Sequence, residues 1–201
     1  MNFPGFVLAY HGCDRAVGER ILASKEHVRP SGNDYDWLGP GAYFWENSPR
    51  RALAWAQFLR DHPKYARQRI RAPFVIGAII DPGWCLDLTE TRCLGILRQA
   101  YDEFAVTMAA SENPLPKNEK GHSEDEDLVQ RRLDCAVINF LHILREQENL
   151  PAFDCLRGAF FEGGPLYPGG GMAAKTHIQW CVRNPADSIR GYFRPLPGWE
   201  E

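Results

Sequence analysis

Eight consecutive residues, Pro73–Ile80 (PFVIGAII), carry no charged or hydrogen-bonding side chain. Their β-branched and apolar character predicts a strand buried on both faces, ended by Asp81-Pro82-Gly83. Further strand patterns occur at 6–10 (FVLAY), 41–45, 84–88, 155–162, 176–182 and 188–194. Helical spacing predicts a helix over 15–24. A second begins at Ser48, an N-cap residue, with Pro49 in its first turn, and runs to about residue 59. Two amphipathic helices follow. One carries Leu94, Leu97, Tyr101, Phe104 and Met108, the other Leu133, Ala136, Val137, Phe140, Leu141 and Leu144. The polar linker 111–126 between them holds two prolines and is expected to be mobile. Strands at both ends and helices in the middle favour an α+β fold with a mostly antiparallel sheet. The expectation is a single domain, 1–201, with 91–147 as an inserted helical block.

Bulk properties exclude several classes. A chain of 201 residues, 44% apolar and 24% charged, is ordinary for one globular domain. No apolar run approaches the ~18–20 residues of a membrane span. The start, MNFPGFVLAYHG, lacks the basic and apolar regions of a signal peptide, so a cytoplasmic location is expected. The six cysteines form no CxxC pair and the six histidines no HxH or HxxxH pair. Reduced thiols and no metal site are expected. A net charge of −3 gives no global argument for nucleic acid. Locally, Arg60, Lys64, Arg67, Arg69 and Arg71 crowd together as a candidate phosphate-docking patch, and 124–127 is acidic.

The stretch 37–56, WLGPGAYFWENSPRRALAWA, joins a glycine turn, an aromatic strand and a helix start. It is no dinucleotide fingerprint, because Gly39-Pro40-Gly41 lacks the third glycine and Pro40 has no N–H. The P-loop GK[ST] and the G-x-S-x-G elbow are absent. What remains is polar groups at strand ends beside glycines. His11 can bond a ligand hydroxyl, and Gly12 lets backbone amides approach a ligand. Tyr43 and Trp55 are placed to bracket a flat ring.

These segments resemble the ADP-ribosyltransferase superfamily, in its diphtheria-toxin and poly(ADP-ribose) polymerase-like branch. The likeness rests on YHG on the first strand, GPGAYF leading into a helix, and a late strand after a flexible loop, RGAFFEGGPLYPGGGMAAKTHIQWCV. It covers roughly 5–90 and 152–195. It implies a split antiparallel sheet and NAD as substrate. By the same resemblance His11 would hold ribose hydroxyls and Gly12 the carboxamide. Tyr43 and Trp55 would stack on nicotinamide, with Ser48 nearby.

Where the branch has a glutamate at the start of the late strand, this chain has Thr176, with Gln179 three residues on and Glu162 before the loop. Branch members lacking that glutamate do mono-transfer or nothing, so the resemblance implies mono-ADP-ribosylation of a protein or nucleic acid. The loop 163–176, with Tyr167, is the expected acceptor-reading surface. In size the chain resembles bacterial toxins and phage-defence effectors, which implies an antitoxin or regulatory partner. An inactive NAD- or partner-binding module and an NAD glycohydrolase are the alternatives. RNA 2′-phosphotransferase chemistry ranks lower, since Tyr43 stands where that group has histidine.

Overall fold

The computed structural model describes residues 5–121 and 127–199. The acidic run therefore lies outside the described residues, apart from Asp127. In chain order the elements are β1 (Val7–Asp14), α1 (Arg15–Leu22), β2 (Ala42–Glu46), α2 (Pro49–Asp61), β3 (Pro73–Ile80), β4 (Cys85–Asp87) and α3 (Thr91–Ala110). Then come β5 (Asn118–Glu119), β6 (Gln130–Arg131), α4 (Arg132–Gln147), β7 (Cys155–Phe160), β8 (His177–Val182), α5 (Pro185–Ser188) and β9 (Ile189–Phe193).

The PFVIGAII run is β3, and its burial follows from its place. It pairs with β1 along its whole length, Val7–Ile80 to Asp14–Pro73, and with β9 on its other side. Val75 through Ala78 are buried on successive, opposite faces. Seven strands form one sheet in the order β4-β7-β8-β2-β1-β3-β9. All neighbours are antiparallel except β4 and β7, which are parallel. The fold is thus α+β with a mostly antiparallel sheet.

Register sorts the side chains. Tyr10, Trp45 and Gln179 lie across from one another on one face, with Tyr43 and Cys181 beside them. Residues one step along, Phe44, Trp180 and Ile76, enter the opposite core with Ile21 of α1 and Val28. Phe44, Trp180 and Ile76 are fully buried there.

The Tyr43 face is covered by two helical units. Helix α2 lies over β1 and β3, packing Ala52 on Trp45 and Val75. Helices α3 and α4 cover the other end, where Cys93, Ala100, Ile138 and Leu141 share a core with Leu86, Leu156 and Cys181. The inserted block is therefore a layer on the sheet. Within its linker, Asn118–Glu119 pairs with Gln130–Arg131. The Asn118 side chain also accepts the Leu133 N–H at 2.9 Å, which caps the entry to α4.

Candidate functional site

The strands that carry the three sequence segments, β1, β2 and β8, are consecutive neighbours in the sheet. The β1–β2 ladder holds two registered pairs, Ala9–Glu46 and Tyr10–Trp45. At the next residue His11 crosses between the strands by its side chain, placing Nδ1 2.8 Å from the Tyr43 carbonyl. A carbonyl only accepts, so Nδ1 carries the proton and Nε2 is the lone-pair nitrogen. Burial pushes the His11 pKa below its usual value, which favours this neutral form. The ring lies 5.6 Å from Phe44, on the face opposite Tyr43. His11 and Tyr43 thus meet through imidazole and backbone, and their side chains leave the sheet on opposite sides.

Gly12 faces α2. A Cβ there would stand 1.9 Å from the Ala52 carbonyl oxygen. The helix backbone occupies the space that the sequence reading reserved for a ligand amide.

Tyr43 closes the loop that precedes it. Its hydroxyl donates to the Gly39 carbonyl at 2.8 Å and accepts from the Leu38 N–H at 3.0 Å. Burial raises its pKa well above the ordinary phenol value. Leu38 is fully buried, and Trp37 donates to Gln179 Oε1 at 2.6 Å. Trp37 fits because residue 158 is glycine, where a Cβ would come 2.5 Å from its ring. The glycine turn of WLGPGAYF therefore folds Trp37 and Leu38 back over β2 and β8.

The expected Tyr43–Trp55 bracket is not formed. Trp55 stacks on Phe58 at 5.4 Å and lies 6.3 Å from Trp45. It sits on the outer part of α2, whereas Tyr43 packs under α4. Ser48 occupies the N-cap position without a capping hydrogen bond from its side chain. Thr176 precedes β8, is exposed, and donates to the Ala173 carbonyl at 3.0 Å.

Glu162 is brought to the start of β8 by the glycine-rich loop. The loop doubles back as a narrow hairpin, with Ala174 N–H on the Gly164 carbonyl and Lys175 N–H on the Glu162 carbonyl, both at 2.9 Å. Phe160 registers with His177, and Glu162 lies two residues beyond Phe160. Its carboxylate pairs with Arg51 of α2, and both side chains are largely buried. Tyr167, on the hairpin, is 53% exposed, with Leu166 and Met172 also exposed.

His177 joins the same cluster. Its Nδ1 donates to the Lys175 carbonyl at 2.7 Å. Arg51 Nε approaches that same nitrogen at 3.5 Å. The shorter contact fixes the proton on Nδ1, so the arginine contact is electrostatic rather than a hydrogen bond. Burial lowers the His177 pKa to about 4. Among the described residues, the buried atoms His177 Nε2 and Trp45 Nε1 have no hydrogen-bond partner. The two rings lie 6.2 Å apart. An unsatisfied acceptor and donor beside a carboxylate–guanidinium pair suit a hydroxyl-bearing ligand. Arg51, Trp45 and His177 carried no signal in the sequence, because no motif joins residues 45, 51 and 177.

On the His11 face a second polar group ties β2, β4, β7 and β8. Arg157 holds Glu46 through two nitrogens at 2.7 and 3.0 Å, and also contacts Asp87. Trp180 Nε1 donates to Glu46 at 2.7 Å. Its geometry fits a structural tie. All six cysteines are buried and unpaired. Burial raises the thiols of Cys13 and Cys155 to about 12.

No helix among the described residues is long and apolar enough to cross a membrane. No protein-family profile matches the chain, and no solved structure matches it significantly. An uncharacterized protein of Methanocaldococcus jannaschii is 54% identical over 194 residues, spanning 88% of this chain and 82% of that protein. At that identity and coverage, the chain belongs to the same family as the Methanocaldococcus protein.

Proposed function

We propose that this chain is an NAD-dependent mono-ADP-ribosyltransferase with an ADP-ribosyltransferase-like fold, acting on a macromolecular acceptor. One observation carries the reading. The His-Gly strand, the G-x-G-x-Y-F strand and the strand after the glycine-rich loop stand side by side as β1, β2 and β8. They are far apart in sequence, and the resemblance needs them at one place.

In this reading Glu162 takes the role of the glutamate missing at Thr176. The bond between nicotinamide and C1′ of the ribose breaks with its electron pair leaving on nicotinamide. The ribose gains oxocarbenium character, which an adjacent carboxylate stabilises. An acceptor nucleophile then bonds to C1′ and loses its proton to Glu162 or water. Arg51 keeps Glu162 in place. His177 Nε2 is an acceptor for a ribose hydroxyl, His11 acts from the other face by holding the Tyr43 carbonyl, and Gln179 orients the Trp37 edge. No step needs a metal.

A second reading, an NAD- or partner-binding module without turnover, is favoured by Tyr43, whose hydroxyl is committed to the Leu38–Gly39 loop. The test is release of nicotinamide from NAD by the purified chain, with protein and nucleic acid offered as acceptors. Release is expected, falling about a hundredfold in His11→Ala. No release under any condition, with NAD still raising the melting temperature, would establish the second reading.

A further inference from the structure

The end of α2 and the segment after it form a surface that NAD chemistry does not use. Phe58 is its centre. Trp55, His62 and Tyr65 all stack on it, at 5.4, 4.4 and 5.8 Å, with ring planes within 24° of its own. Trp55 is 39% exposed and His62 is exposed. Near-parallel, solvent-reached rings are a stacking platform, because every unpaired base offers a π-face.

Cations border the platform. A depression of about 520 Å³ is lined by Arg60, Pro63, Arg69, Ile70 and Arg71. Lys64 Nζ lies 4.9 Å from the Tyr65 ring centre. Two carboxylates adjoin. Asp61 is held by Arg60 at 2.7 Å. Asp14 accepts the backbone N–H groups of Arg71, Ala72 and Ala16. Both acids are thus occupied, and Lys64, Arg69 and Arg71 make no side-chain ion pair among the described residues.

We infer that this surface binds single-stranded nucleic acid, with phosphates on Lys64, Arg69 and Arg71 and a base stacked on Trp55. The rings decide for a single strand. A duplex hides its base faces, and an acidic protein would engage the arginines without needing aromatic planes. The inference is independent of NAD turnover. If both hold, the ladder Trp55–Trp45–His177 leads from this surface to the Glu162 cluster, and the acceptor is nucleic acid.

The test is fluorescence anisotropy of labelled single-stranded DNA and RNA oligonucleotides against the full chain, without NAD. Binding tighter than about 100 μM at low salt is expected, weakening steeply as salt rises. The exposed double variant Arg69→Glu/Arg71→Glu should abolish binding and leave nicotinamide release unchanged. Trp55→Ala should weaken binding about tenfold with little change in salt dependence. Circular dichroism melts check that both variants stay folded. No binding by the native chain would overturn the inference. So would equal binding of a duplex, equal competition by polyglutamate, or indifference to both variants.

Discussion

At the residue scale the proposed reaction rests on the Arg51–Glu162 pair and the two histidines. His11 and His177 are alike in one respect. Each spends its Nδ1 proton on a backbone carbonyl and keeps Nε2 as an acceptor. Burial holds both neutral at pH 7, so neither is a source of positive charge. The carboxylate paired with Arg51 in the His177 cluster is Glu162, and it came there through a loop rather than along a strand. Replacing Glu162 by Gln keeps its size and removes its charge. If the proposed reaction holds, nicotinamide release should fall about a hundredfold, with the affinity for NAD nearly unchanged, the pattern expected of a group that acts on the transition state. Equal turnover in Glu162→Gln and native protein would remove Glu162 from the mechanism. Trp55, expected from sequence to bracket a ring with Tyr43, instead stacks on Phe58 along α2.

At the element scale the sheet and α2 meet at one glycine. Gly12 registers with Val75, and the Ala52 carbonyl lies where its side chain would be. Gly12→Ala must push α2 off β1, because backbone cannot rotate away as a side chain can. A loss of about 2–3 kcal/mol is expected, read as a lower denaturant midpoint. A midpoint unchanged from native would mean that α2 is not seated as described. Strand positions were legible in the sequence because burial on both faces leaves an apolar run, as in PFVIGAII and, less fully, at the end of THIQWCV, where Trp180, Cys181 and Val182 are all buried. The short strands Asn118–Glu119 and Gln130–Arg131 were not legible. Two polar residues pairing with two others have no hydrophobic signature. Neither was the parallel pairing of β4 with β7, since strand direction is set by the route of the chain between them.

At the scale of the whole molecule, buried neutral histidines couple stability to pH. His142 and His177 both have folded pKa values near 4, lowered chiefly by burial. In the unfolded chain they titrate near 6.5. Between these values the unfolded state binds more protons, so stability falls as pH drops from about 6.5 toward 4. The slope is about 1.4 kcal/mol per pH unit for each histidine. Thermal melts across this range should show the loss, and His142→Phe should flatten the curve. A melting temperature independent of pH from 6.5 to 5 would contradict the burial of both rings. Sequence alone determined the α+β class, the long strand over 73–80 and the helical layer over 91–147, because each follows from local periodicity. Only the tertiary structure decided that β8 lies beside β2, that His11 and Tyr43 leave opposite faces, and that a hairpin returns Glu162 to Arg51. These are contacts between residues 32 to 140 positions apart. No local pattern encodes them, and the register of the sheet does.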